Sequence, residues 1–178
     1  MNAARLLYRT RQFWQALKSP PALEDFELIQ SILTPPQLGL FRQMQASEQA
    51  HSLRVLRALI TQGETQGDLL VAALLHDVGK SRVRLRLWER VGIVLVKALC
   101  PGCVKRWEEG PAANWRRAFV VSARHPDWGA QMAVDAGASP LTAALIRRHQ
   151  EDWPGAAGGS GSLEDRLLST LVAVDDES

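Results

Sequence analysis

Leu69-Leu70-Val71-Ala72-Ala73-Leu74-Leu75-His76-Asp77-Val78-Gly79-Lys80 is the stretch on which the fold turns. A helix over Leu69–Val78 is apolar nearly all round, so it belongs at the centre of a core and not on a surface. Asp68 is placed to cap its start and Gly79 to stop it. The helix therefore carries a histidine and an aspartate into the interior. A buried, unpaired carboxylate carries a penalty of several kcal/mol, on the order of what breaks a marginal domain. Something must compensate Asp77.

Outward from this helix, apolar residues recur at three- and four-residue spacing and strand patterns are nearly absent, which predicts an all-α fold. Helices are expected over Ala3–Leu17, from Leu23 or Glu24 to Leu33, and over Gln37–Met44. Another is expected from an N-cap at Ser47 to about Ile60. Further ones cover Leu85–Leu99, Trp115–Ala123, a helix with Pro126 in its first turn that ends at Gly137, and one from Ser139-Pro140 to about Gln150. Gly155–Ser162 reads as a flexible loop and Leu163–Asp176 as the last helix. With 178 residues, 46% hydrophobic and 22% charged, the chain suits one globular core.

The net charge of +2 is too small a bias to indicate nucleic-acid binding, although Arg82, Arg84, Arg86 and Arg90 cluster. No signal peptide is visible, because Arg5, Arg9 and Arg11 interrupt the N-terminal apolar residues. Leu85–Val104 is the most apolar stretch, yet it holds Arg86, Glu89, Arg90 and Lys97 and does not suit a transmembrane span. Its piece Val91–Leu99 is expected to be buried in the domain, with contact to a membrane surface or a partner as the other reading. These features predict a cytoplasmic protein. Cys100 and Cys103 flank Pro-Gly and read as two cysteines around a turn. A redox pair or half a metal site is the functional alternative, and a four-thiolate zinc site within one chain is excluded.

The chain has four histidines. His51 lies four and eight residues before Val55 and Leu59, and His149 four and eight after Leu145 and Leu141, so both fall on apolar helix faces. His125 precedes Pro126 at an expected helix start. Asp175 follows Leu168 and Leu171 by seven and four. Any one such histidine reads as an ordinary core residue, and Asp175 alone as a solvated carboxylate. Together they place imidazoles and carboxylates where the core should be. A cation held by mixed His/Asp ligands, suited to zinc, manganese or iron, would compensate the buried charge.

The order His51, His76-Asp77, His125, His149, Asp175, all on helices, resembles the HD-domain superfamily. Leu-Leu-His76-Asp77-Val-Gly-Lys80 resembles its His-Asp-x-Gly-Lys signature. Arg-His125-Pro-Asp-Trp-Gly and Ile-Arg-Arg-His149-Gln-Glu resemble the segments that supply the third and fourth histidines in two-metal members, and Val-Asp175-Asp176 resembles the closing aspartate. The resemblance covers His51 to Asp176. It implies an HD phosphohydrolase domain, a helical bundle, at 47–178; residues 1–46 fall outside it and are expected to form an N-terminal helical extension. It also implies that His51, His76, Asp77 and Asp175 hold one divalent ion, and that Asp77 bridges to a second completed by His125 and His149. Asp176 competes with Asp175, which is preferred for sharing a face with Leu168 and Leu171.

The implied activity is hydrolysis of a phosphate ester by a metal-activated hydroxide, the substrate being a small phosphorylated molecule such as a nucleotide. Asp77 and Lys80 are the expected catalytic residues; Lys80, Arg147 and Arg148 are the expected phosphate-binding ones. Trp128 and Trp153, near His125 and His149, are expected to pack, with base stacking as the alternative. Two other functions use the same residues: a di-iron oxygenase, which would consume oxygen, and a non-catalytic nucleotide sensor, which would not need all six ligands.

Overall fold

A computed structural model describes residues 23–86, 113–151 and 161–178, with residues 88, 89, 92, 93, 96, 99, 100, 102 and 106–108 between them. The fold is all-α, with no strand among these residues. Seven α-helices are described: α1 Leu23–Ile32, α2 Pro35–Gln43, α3 Ala46–Thr61, α4 Gly67–Leu75, α5 Arg117–Asp135, α6 Pro140–Arg148 and α7 Leu163–Glu177. A short 3-10 turn, Val78–Arg82, follows α4, and another, Asn114–Arg116, leads into α5. The expected helix at Ala3–Leu17, together with Trp14 and Trp153, lies outside the described residues.

Helix α4 is the centre, as its composition demands. Leu69, Ala72, Ala73, Leu74 and Leu75 are all fully buried, and α3, α6, α7 and both N-terminal helices pack on them. Burial of each leucine contributes about 1.5–3 kcal/mol. Ile29 on α1 and Phe41 on α2 are also fully buried within this same cluster. The expected extension thus contributes side chains to the common core.

Several helix boundaries differ from expectation. Helix α3 begins one residue before Ser47, because Glu48 reaches back to accept from the Gln45 backbone N–H at 3.0 Å. Asp68 lies inside the first turn of α4 and does not cap it; its carboxylate accepts from the Ser139 hydroxyl and, at 2.8 Å, from that of Thr142, tying α4 to the start of α6. The two helices expected on either side of Arg124 are one continuous α5, with Pro126 in its interior. Ser139 caps α6 as expected, accepting from the Thr142 backbone N–H at 3.0 Å, and Pro140 follows at the first helical position.

Gly79 does not stop α4, which ends at Leu75. Its role is contact. A Cβ there would lie 2.0 Å from the His125 carbonyl oxygen and 2.7 Å from the Gly129 backbone nitrogen. The 3-10 turn thus rides directly on the α5 backbone, which fixes the distance between Asp77 and His125.

The segment between the 3-10 turn and α5 is pinned at two places. Glu89 accepts two hydrogen bonds from Arg117, at 2.6 and 2.8 Å, and Trp107 stacks edge-on against Trp115 and Phe119. The expected burial of Val91–Leu99 is not fully met: Ile93 and Val96 are half-buried and Leu99 is exposed. Cys100 is disulfide-bonded; Cys103 lies outside the described residues. No helix among the described residues is long and apolar enough to cross a membrane.

Candidate metal centre

Five elements bring the six candidate ligands together: α3 carries His51, the end of α4 His76 and Asp77, α5 His125, the end of α6 His149, and α7 Asp175. The rings of His51 and His76, His76 and His149, and His149 and His125 stand edge-on in a chain, with centroids 5.3, 5.1 and 5.2 Å apart. Asp77 lies against this chain. Its carboxylate oxygens stand 3.3 Å from His125 Nε2 and 3.8 Å from both His149 Nε2 and His76 Nε2. At the other end, Asp175 Oδ1 is 2.7 Å from His51 Nε2 and 3.4 Å from His76 Nε2. Asp176, one residue on, is exposed.

The orientation of the three buried imidazoles has one physical cause. Each points its Nδ1 at a backbone carbonyl that helical N–H groups leave available. His76 and His149 sit just past the ends of α4 and α6, where helical donors run out; their Nδ1 atoms donate to the Ala73 and Ile146 carbonyls at 3.0 and 2.7 Å. His125 is mid-helix, where carbonyls are normally taken. There Pro126 has no N–H to offer Ser122, four residues back, and His125 Nδ1 donates to the Ser122 carbonyl at 3.0 Å and approaches that of Val121 at 3.1 Å. The sequence held the signal for this device in the pair His125-Pro126. The expectation of a helix start there gave Pro126 a different role.

With Nδ1 protonated, Nε2 of each ring keeps its lone pair. The Nε2 atoms of His76, His125 and His149 are buried and have no hydrogen-bond partner. Orphaned polar atoms of this kind are rare in cores and call for an occupant. Three inward lone pairs, oriented from behind by carbonyls and grouped around a carboxylate, form a donor set that fits divalent metal. Two subsets, His51–His76–Asp77 and Asp77–His125–His149, each gather their ligand atoms within 4.8 Å, and Asp77 belongs to both.

Electrostatics agree with this donor set. Burial pushes the His76 imidazole below its ordinary value and the His149 imidazole down to about 3, so both are neutral near pH 7. For Asp77 burial works against ionisation, yet Lys80, His76 and His125 outweigh it and hold the carboxyl well below the ordinary carboxylate range. Asp175 is likewise lowered against the pull of burial, chiefly by its hydrogen bond from His51.

Lys80 Nζ reaches back from the 3-10 turn to the Asp77 carboxylate at 2.6 Å. The other two expected phosphate ligands are engaged elsewhere. Arg147 faces Asp127 at 3.3 Å on the surface. Arg148 is gripped by Glu151 at 2.9 Å, Glu164 at 2.6 Å and Asp165 at 3.4 Å, so it links α6 to the start of α7. Beside the turn, the Arg82 guanidinium lies 5.5 Å over the half-buried Trp128 ring, one helical turn from His125. This pairing could not be read from spacing, since forty-five residues separate its partners.

Compared with protein-family models, residues 49–176 match the HD domain. The chain belongs to the HD-domain family. The matched region begins two residues before His51 and ends one after Asp175, so it contains all six candidate ligands. No curated protein and no solved structure matches the chain. HD-domain proteins are mostly metal-dependent hydrolases, and the His/Asp cluster is compatible with metal binding.

Proposed function

We propose that the chain is a two-metal phosphohydrolase acting on a small phosphorylated substrate, a nucleotide or a related ester. The observation that carries this reading is the trio of buried Nε2 lone pairs, each lacking a hydrogen-bond partner, around the shared carboxylate of Asp77. His51, His76, Asp77 and Asp175 would hold one ion, and Asp77, His125 and His149 the second. When bound, such ions supply Lewis acidity toward phosphoryl oxygens and make a water acidic enough to attack near neutral pH.

The protein's own part is positioning and charge. The Ala73, Ser122 and Ile146 carbonyls keep the three imidazoles in the metal-ready tautomer. Asp77 stays ionised and central because Lys80 holds it. Lys80, half-buried beside the carboxylate, is the cation best placed to meet a phosphoryl oxygen, where a fixed positive charge stabilises developing negative charge. Arg147 is the second candidate, on the rim. Arg148, already bound to three carboxylates, serves the framework in this reading.

The test is phosphate release from a panel of nucleoside mono-, di- and triphosphates by the manganese-loaded chain. Release above the no-enzyme rate that disappears in Asp77→Ala supports the proposal. No release from any ester by a fully metal-loaded chain contradicts it, and oxygen consumption by an iron-loaded sample would replace it with the oxygenase reading.

A further inference from the structure

One short turn of backbone supplies two cations beside the metal centre, and the proposed chemistry uses only the first. The 3-10 turn Val78–Arg82 rests on α5 at His125 and Gly129, where Gly79 meets the backbone of both residues. Lys80, next in the chain, reaches back to Asp77. Arg82, two residues further on, reaches Trp128 on α5 instead, with its guanidinium 5.5 Å over the ring. Arg57, Arg117, Arg147 and Arg148 are each held by a carboxylate. Arg82 is exposed, and among the described residues it has no carboxylate partner; what it meets is the indole.

Trp128 is half-buried, although Pro126, Gly129 and Ala130 around it on α5 are buried. A guanidinium and an indole in contact bring two flat, delocalised surfaces together at one place. That place is close to the metal centre. Trp128 follows His125 by three residues on the same helix, a spacing that sets Cβ atoms about 5–6 Å apart. His125 Nε2 in turn stands 3.3 Å from the Asp77 carboxylate. The platform therefore begins one helical turn from an imidazole that faces the shared aspartate.

The chemistry of this pair selects what it can bind. A nucleotide held at the His/Asp cluster by the phosphate next to its ribose carries its base one sugar away, which matches a platform one helical turn from the ligands. The base has a π-face that stacks on indole or guanidinium. A sugar phosphate would bring hydroxyl groups to the same place and no flat face, and a second phosphate would use the arginine but not the indole. We propose that Trp128 and Arg82 form a stacking subsite for the base of a nucleotide substrate. The proposal rests on the phosphohydrolase reading of the metal centre and narrows its substrate class. Because every base has a π-face, the subsite favours nucleotides over other phosphate esters without choosing among bases. Neither residue takes part in bond cleavage; both act by holding the base.

The test is equilibrium binding of two phosphonates, neither of which has an ester bond to cleave, by the manganese-loaded full chain. One is the AMP analogue in which CH2 replaces the ester oxygen; the other is methylphosphonate, which offers the anionic group alone. The AMP analogue should bind more tightly. Trp128→Leu should weaken it by about 5- to 150-fold, the range of one base–aromatic stack, with methylphosphonate affinity and metal content at the wild-type level. Trp128→Phe keeps a ring and should keep most of the affinity. Arg82→Met, at an exposed position, should also weaken the analogue and does so without disturbing the packed side of α5. Unchanged affinity for the analogue in both Trp128→Leu and Arg82→Met would overturn the stacking subsite and leave the hydrolase reading standing. So would full affinity in Arg82→Lys together with loss in Arg82→Met, because charge without a plane would then suffice and Arg82 would serve a second anionic group. Failure of both phosphonates to bind the manganese-loaded chain would contradict the phosphohydrolase reading itself, and the subsite with it.

Discussion

Gly79→Ala puts one methyl group where the structure has no room. The new Cβ would stand 2.0 Å from the His125 carbonyl oxygen, whereas ordinary contact begins at 3.4 Å. The 3-10 turn and α5 must therefore separate by about 1.4 Å, and because the obstacle is backbone no side chain can swing aside. Overpacking a tight site costs about 1–3 kcal/mol, and a backbone clash belongs at the upper end. At about 2–4 °C per kcal/mol for a chain of this size, the unfolding temperature should fall by roughly 6–12 °C. The same separation draws Asp77 and Lys80 away from His125, so the second metal should be lost before the first. Gly39 on α2 is the control: its backbone φ is not in the left-handed region and nothing lies within 4 Å of its Cβ position. Gly39→Ala should be neutral or stabilising by up to about 1 kcal/mol. Thermal melts and metal analysis of both variants read the outcome. A Gly79→Ala protein with wild-type unfolding temperature and full metal content would refute the reasoning.

The remaining predictions concern charge and hydrogen bonding. Asp68→Ala removes the acceptor shared by Ser139 and Thr142 and should cost about 1–3 kcal/mol in denaturant melts without changing metal content; wild-type stability would mean that α4 and α6 hold together without it. Lys80→Ala removes the cation on the buried Asp77 carboxylate. The metal-free protein should melt at a lower temperature, manganese should restore most of the difference, and phosphate-ester hydrolysis should slow with metal content intact. Metal loss in that variant would give Lys80 a purely structural role. Glu89 has its pKa lowered chiefly by the hydrogen bond from Arg117. Its contribution should therefore be full above the ordinary value of 4.5 and fade as pH falls through the lowered one. Glu89→Gln should destabilise the protein at pH 7 and lose that effect in strong acid; a pH-independent difference would contradict the ion-pair assignment.

Much of the centre was legible because burying a charge leaves a pattern. The apolar run Leu69–Leu75 could only be a central helix, so His76 and Asp77 had to be interior, and the i, i+4 spacings placed His51, His149 and Asp175 each on the apolar face of its own helix; that they converge on one centre was implied by the resemblance and not by spacing. What spacing does not encode is what the backbone does on contact. Gly79 read as a helix stop because glycine often ends helices; its actual constraint is the neighbouring carbonyl of α5, which lies forty-six residues away in sequence. Pro126 read as a first-turn residue for the same statistical reason, while in the structure it frees a carbonyl inside a long helix. Arg147 and Arg148 look alike in sequence. Only the approach of Glu164 and Asp165 from α7 separates a surface arginine from one already consumed by carboxylates.

The most direct test of the central claim is metal stoichiometry by elemental analysis, on wild-type protein and on His149→Ala, each purified without added metal and then reconstituted. About two divalent ions per chain in the wild type and about one in the variant would agree with two subsites that share Asp77. No bound metal in the wild type after reconstitution would contradict it, and would leave three buried Nε2 lone pairs without a ligand.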